Sequence, residues 1–320
     1  MTYTATTFGI TYTVRNKTYT LDGYDATTGL TINMVNMSGW GLPAITPIVN
    51  RGAQQDGDTQ VGYRLDARTF TLSLFVDNDN YFDYLRCRET LASMFAPSMS
   101  KGTIALTYTA TNGGITQTIR RSIDGYIVGG LSFDDDVSNG WFVLANVQFR
   151  ADDPTFYDPT PNSVTATATI TGDATPIPKT YPVPYGSDVI NQQTVVNYSG
   201  SYSTYPIITI NTGLHGFTSM TITNLTTGKS LSFANLDANN IYTVDLRYGF
   251  KTIVDQNGNN AFEKVVAGSN LASFNIADSR TVNDGINVIY VDAILGNPSI
   301  PTVGSGESVV ISYFNRYSGI

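Results

Sequence analysis

Seven prolines fall between residues 154 and 184, at 154, 159, 161, 176, 178, 182 and 184. Proline fixes φ and removes a backbone donor, so this stretch cannot run through the middle of a sheet. Apolar alternation dominates on both sides of it. The prolines therefore divide the 320-residue chain into two parts of ordinary domain size. The expected division is an N-terminal domain over 1–155 and a C-terminal domain over 156–320, with 152–188 as the connection and a short edge strand from Val164 to Ile170.

Both parts read as strand. Tyr, Phe, Thr, Val and Ile suit a pleated, half-buried surface, and the chain holds 20 Tyr and 15 Phe. In the first part the alternating runs are Thr11 to Leu21, Leu30 to Val35, Arg68 to Val76, Gly102 to Ala110, Ile115 to Ile119, Ile123 to Leu131 and Trp141 to Phe149. Asn112-Gly113-Gly114 between two matching runs predicts a hairpin. One segment has helical spacing, with Tyr81, Tyr84, Leu85, Leu91, Ala92 and Phe95 on one stripe and Arg88 as its break. Asp77 or Asn78 is the expected cap and Pro97 the stop. In the second part eight short runs are expected as strands: Tyr205–Asn211, Ser219–Asn224, Lys229–Phe233, Ile241–Asp245, Lys251–Val254, Ala272–Ile276, Gly285–Asp292 and Ser308–Asn315. That spacing suggests a sandwich or jelly roll. The fold class is mainly β: a sandwich- or barrel-like N-terminal domain with one α-helix, followed by a β-sandwich.

The longest break in the pattern is Ser38 to Gly62. A loop of that length is functional or disordered more often than it is a plain connection. Trp40, Leu42, Ile45 and Ile48 make it too apolar for a free tail, and with Pro43 and Arg51 they are the candidate inter-subunit residues. No strand alternation is assigned to it.

The means for chemistry are sparse. His215 is the only histidine and Cys87 the only cysteine. They exclude the usual zinc sites and any internal disulfide, and no catalytic or metal-binding residue is assigned. His215, in Thr212-Gly-Leu-His-Gly, reads as an exposed turn residue, and Cys87 as a small packed hydrophobe. Asp134-Asp135-Asp136 reads as a turn cluster before it reads as a calcium site. Asp255-Gln-Asn-Gly-Asn-Asn has its glycine misplaced for a calcium loop, with Val266 where the terminal Glu would stand. A turn centred on Asn257-Gly258 explains it better. Asp56 and Asp58 read as solvated. Tyr181, Tyr185, Tyr198, Tyr202 and Tyr205 cluster at the entry to the second part, where interface or core contact is favoured over stacking on sugar. No cofactor is expected.

Net charge is −8, and both halves are acidic: residues 1–160 carry 11 Lys/Arg against 16 Asp/Glu, residues 161–320 carry 7 against 10. Neither half offers the Lys/Arg surface that grips phosphate, so no sequence-specific nucleic-acid partner is expected. No apolar run approaches the ~20 residues that cross a bilayer, and residues 1–20 lack the pattern of a secretion signal. Synthesis in a cytoplasm is expected.

The order of features in the first part resembles one known family. A loop containing GWGLP leads to Arg51-Gly-Ala-Gln-Gln-Asp-Gly-Asp, then Val61-Gly-Tyr-Arg-Leu-Asp-Ala-Arg68, a strand, the helix ending in Ala96-Pro97, and Val147-Gln-Phe-Arg-Ala-Asp-Asp-Pro-Thr-Phe-Tyr157. Tyr205-Pro-Ile-Ile-Thr-Ile-Asn, Ile222-Thr-Asn-Leu-Thr-Thr-Gly, Gly285-Ile-Asn-Val-Ile and Val309-Val-Ile-Ser-Tyr-Phe-Asn-Arg-Tyr-Ser-Gly-Ile extend the match. Together they resemble the distal tail (Dit) proteins of long-tailed bacteriophages. The resemblance implies a galectin-like C-terminal sandwich and no catalytic residues. It implies a structural subunit at the virion's tail tip, a hexameric ring between the tail tube protein and the tail-tip hub protein, with receptor-binding or accessory tail proteins nearby. An acidic ring would let DNA pass without holding it. The rival expectations are a free-standing lectin-like protein and a tail-associated glycan hydrolase.

Overall fold

In β7 (Arg68–Asp77) every second residue is buried, and its neighbour β11 (Phe142–Ala151) repeats the pattern in register. Phe70 lies opposite Phe149, Leu72 opposite Val147, Leu74 opposite Ala145 and Val76 opposite Val143. A period of two puts all eight side chains on one face, and that face becomes core. The computed structural model describes residues 4–97, 100–112, 115–129, 131–133, 141–167, 189–281, 283–296 and 306–319. Contacts divide the chain into two units: residues 1–159 with 317–320, and residues 160–316. The division thus falls at 159/160, against the expected 155/156, and residues 317–320 group with the first unit.

The first unit holds β1 (Thr4–Val14), β2 (Lys17–Thr20), β3 (Gly23–Asp25), β4 (Leu30–Ser38), β5 (Ile45–Asn50), β6 (Thr59–Leu65), β7, α1 (Tyr81–Met94), β8 (Gly102–Asn112), β9 (Ile115–Ile127), β10 (Ser132–Phe133), β11 and β12 (Phe156–Tyr157). Its main sheet runs β2-β1-β8-β9-β11-β7-β4-β3, with β10 beside β11 and β12 beside β9. The sheet curls nearly into a barrel. β9 makes the corner, pairing with β8 up to Gly125 and with β11 from Tyr126. A side chain at 125 would strike the Arg150 carbonyl oxygen, so glycine lets β9 change partners there. The expected strand Thr11–Leu21 is a hairpin instead. Arg15 and Asn16 both take positive φ, 51° and 60°, which is the tight turn that matches strand twist.

Helix α1 supplies Tyr84, Cys87, Leu91 and Met94 to the core. The expected stripe was rotated: Tyr81 and Leu85 are exposed. Arg88 does not break the packing, because its guanidinium lies 4.6 Å from the Phe133 ring centre. The cap is Asn80, whose side chain accepts from the N–H groups of Phe82 and Asp83, in place of the expected Asp77 or Asn78. Asp134–Asp136 and the Gly113-Gly114 turn lie outside the described residues.

The second unit is a two-sheet sandwich. Its strands are β13 (Asn162–Thr167), β14 (Val189–Asn197), β15 (Ile207–Asn211), β16 (Phe217–Asn224), β17 (Lys229–Leu236), β18 (Ile241–Asp245), β19 (Thr252–Val254), β20 (Ile286–Leu295) and β21 (Ser308–Tyr313). One sheet runs β13-β21-β15-β18-β19, the other β14-β20-β16-β17. Ile208, Ile210, Val244, Val309 and Ile311 from the first belong to the same core as Met220, Ile222, Leu231, Phe233 and Val291 from the second.

Part of the expected connection is sheet: β13 pairs with β21 from Asn162↔Tyr313 to Thr167↔Ser308 and forms an edge, as proline at 161 permits. Residues 168–188 lie outside the described residues. β14 was not expected, because Asn-Gln-Gln in its middle masks the alternation. The expected strand Ala272–Ile276 is not one. Asn270 draws this segment into a turn, accepting from Ser273 and Phe274, and only Ile276 bridges to Thr204.

Candidate assembly interface

The break at Ser38–Gly62 contains a two-stranded antiparallel arm, β5 paired with β6 and separate from the main sheet. The expected absence of strand character is therefore corrected. Residues opposite one another in a ladder share a face. Ile45 faces Leu65 and Pro47 faces Tyr63, and a bulge after Ile48 carries the pattern on to Val49. One face is thus largely apolar, with Ile45, Pro47, Val49, Tyr63 and Leu65 beside Gln60, which stands opposite Val49, and Val61 is the extra residue of the bulge. The other carries Thr46, Ile48, Asn50, Gly62 and Arg64. Proline is tolerated because a two-stranded arm has a free outer edge. The alternation is legible in Val61-Gly-Tyr-Arg-Leu.

The apolar face stands in solvent. Val61 is 57% exposed and Tyr63 53%, with Ile45 and Val49 close behind. A lone hairpin is marginal in water, and an exposed apolar patch of this kind marks a surface that meets another. The six expected interface residues do not act together. Leu42, Ile45, Ile48 and Arg51 are exposed and Pro43 is buried. Trp40 packs into its own unit's core, with its ring 4.6 Å from Phe70 and 5.8 Å from Phe156.

Arg68 organises the base of the arm. Its Nε donates to the Pro154 carbonyl at 2.9 Å, Nη1 to Gly39 at 3.1 Å and Gly41 at 2.5 Å, and Nη2 to Ser318 at 2.6 Å. The guanidinium lies 4.7 Å from the Phe156 ring centre and is almost wholly buried. Burial pulls its pKa down to about 10, so at neutral pH it stays charged, and four carbonyls replace its water. Gly39 makes the approach possible: it has φ +89°, and a Cβ there would sit 2.3 Å from the Thr69 carbonyl oxygen.

Beside it, Arg121 donates to Asp158 at 2.8 Å and stacks 3.4 Å from the Tyr317 ring centre. The Tyr317 hydroxyl meets Asp158 at 3.1 Å. Sequence reading missed Arg68 and residues 317–319 because nothing local marks a site whose parts lie 250 positions apart.

Two other surfaces of this unit stand out. Tyr81, Phe82, Leu85 and Trp141 are exposed, with the Tyr81 and Trp141 rings 5.1 Å apart. On the outer side of β2-β1-β8-β9, the ladder partners are largely threonine: Thr13↔Thr18 and Thr11↔Thr20, then Thr109↔Thr118 and Thr111↔Thr116. Arg120 and Asp124 are the charges opposite this row on β9, facing Thr107 and Thr103.

In the second unit His215 is buried, correcting the expected exposed turn. Its Nδ1 lies 2.6 Å from Glu307 Oε1, with both side chains at most 1% exposed. The turn folds inward because Gly216 takes φ +64° and donates to the Thr212 carbonyl. Tyr198 is core, and its hydroxyl donates to the Tyr202 carbonyl at 2.5 Å; Tyr181 and Tyr185 lie outside the described residues. Tyr205 packs against the core with Lys251 Nζ 4.2 Å from its ring centre. Burial lowers the pKa of Lys251. A hollow of about 270 Å³ lies beside it, lined chiefly by Leu246, Ile253, Phe262, Leu271 and Ala272. Asp255 organises its turn by accepting from the N–H groups of Asn257 and Asn259. Among the described residues no three His, Cys, Asp or Glu converge as a metal site would require, and no helix is long and apolar enough to cross a membrane.

No protein-family model and no curated protein matches the sequence. Solved structures do. The crystal structure of the Dit protein (gp 19.1) of phage SPP1, described as a paradigm of the hub adsorption apparatus in phages infecting Gram-positive hosts, aligns with a TM-score of 0.61 at 15% identity, over 97% of this chain and 99% of that one. Two structures of the phage P2 baseplate in its activated conformation also align: with Ca at a TM-score of 0.48 and 9% identity, with Sr at 0.45 and 8%, each over 96% of this chain and 98% of the other. The two-unit, mainly β architecture of this chain is the fold of the SPP1 Dit protein along nearly its whole length.

Proposed function

We propose that this chain is a non-enzymatic structural subunit of a bacteriophage tail, and that its first unit closes into a ring at the tail tip, of six copies by analogy with the Dit proteins. The observation that carries the reading is the arm. An arm that holds Ile45, Val49, Val61 and Tyr63 in solvent has no use in a monomer, and a second copy would bury them. Ring closure needs a contact between two different patches. The cluster of Tyr81, Phe82, Leu85 and Trp141 is a second patch on the same unit.

The ring joins the tail tube to the tail-tip hub protein and passes DNA. The threonine rows suit a channel wall better than the acidic lining expected from net charge. Hydroxyls offer water-like partners that do not retain phosphate, and Arg120 among them is balanced by Asp124 on the same strand. The lectin reading finds little support in the hollow of the second unit, whose surface is chiefly apolar although Asp245, Lys251 and Thr252 stand in its wall.

The test is light scattering and electron microscopy of the full chain beside Val61→Ser/Tyr63→Ser. The native protein should form closed rings. The variant should stay monomeric with an unchanged melting temperature, because neither side chain is in the core. A native chain that remains monomeric from micromolar to near-millimolar concentration defeats the ring reading. Trp40→Ser is unsuitable as a test, because it would empty core space.

A further inference from the structure

We infer that Arg68 and residues 317–319 are the positioning element of the arm: the returning segment locks the arm's root, and without it the arm is present but not aimed. The inference rests on the ring reading for its consequence and on the geometry of the first unit for its substance.

The arm pairs with no strand of the main sheet and joins it through its two roots, 39–44 and 65–68. Arg68 sits where the second root enters β7. Its guanidinium spans to the first root through the Gly39 and Gly41 carbonyls, and to residue 318 through the Ser318 carbonyl. Gly319 packs directly on the first root: a Cβ added there would lie 3.1 Å from the Gly41 carbonyl oxygen and 3.7 Å from the Leu42 nitrogen. Tyr317 anchors this segment to β9 and to Asp158 through Arg121. The two roots and the returning segment therefore share one buried cation.

A planar fork with five donors can hold such a set in fixed directions, where a lysine ammonium cannot. Remove the Ser318 carbonyl, and a buried, charged donor loses an acceptor while the Gly41 backbone loses its cover. The strain falls on the root, because 39–44 has no ladder of its own, whereas Phe156 lies in β12, which β9 still holds through Tyr157 and Ser122. A hairpin pivoting at its root loses a fixed orientation, and a heterologous contact depends on that orientation.

The test compares three full-length proteins with the native chain: one ended after Arg316, one carrying Arg68→Lys, and one carrying Gly319→Ala as the mildest change. Hydrogen–deuterium exchange is read by segment, with 81–94 and 207–245 as internal references. The expected result is exchange at least tenfold faster across 39–66 in the first two proteins, with the references unchanged. Trp40 emission should also shift in a Trp141→Phe background, and the ring fraction should fall. Gly319→Ala should show the same pattern to a smaller degree.

The inference is overturned if the arm exchanges at the native rate in the chain ended after Arg316. It is equally overturned if the acceleration spreads evenly over the first unit, which would make the segment a general stabiliser. If the native protein forms no ring, the ring reading fails, while the exchange comparison still decides whether 317–319 position the arm.

Discussion

A single buried imidazole shows how much one residue depends on a distant partner. His215 looked like a solvent-exposed turn residue because its neighbours are Gly213, Leu214 and Gly216. Glu307, 92 positions away, draws it inside. Removing one partner of a buried hydrogen bond costs about 1–3 kcal/mol, since the group that stays has lost its water as well. His215→Ala should therefore lower the stability of the second unit by about that amount, measured by urea unfolding. A cost under about 1 kcal/mol, the size of an ordinary surface substitution or less, would mean that Glu307 finds equal company without the imidazole. Arg68 is the corresponding residue in the first unit, where the acceptors are backbone carbonyls and the consequence is orientation.

Among the elements, α1 separates stability from assembly. Its inner side is Tyr84, Cys87, Leu91 and Met94, and its outer side includes Phe82, 73% exposed. Leu91→Ala should destabilise the first unit by ~2–5 kcal/mol, the transfer and cavity cost of a buried leucine. Phe82→Ser should leave the melting temperature within a degree or two and, if the outer patch meets the neighbouring arm, should lower the ring fraction. Calorimetry and light scattering on the two variants separate these effects; a large thermal loss in Phe82→Ser would place that ring in the fold's own packing. The arm differs from α1 in having no buried side, so its substitutions should register in assembly alone.

For the whole molecule, the chain leaves the first unit at 159 and rejoins it at 317. The second unit therefore begins and ends on adjacent strands, with Asn162 opposite Tyr313. Residues 160–316 expressed alone should fold and unfold in one cooperative urea transition, since no strand of the sandwich is lost. Residues 1–159 alone lack Ser318 and should fold with a loosened arm. Absence of near-ultraviolet dichroism from the isolated 160–316 would show that this sandwich needs the rest of the chain.

The local rules made much of the fold legible. Period-two alternation identified β7, β8, β11, β18, β20 and β21 because each buries one face of a continuous sheet. Prolines 154, 159 and 161 flank the division at 159/160, where no sheet interior would accept them. The helix was legible as a helix, but its rotation was not: Tyr81 and Leu85 are as apolar as Leu91, and only the position of the sheet decides which are covered. The loop after Ser38 stands out from the alternating runs through its length and its apolar content. Its form as a two-faced arm was hidden by the bulge after Ile48 and by Pro47. Arg68, Ser318, His215 and Glu307 could not be paired from sequence at all. Burial of a charge is set by what closes over it, and the closing parts come from far along the chain.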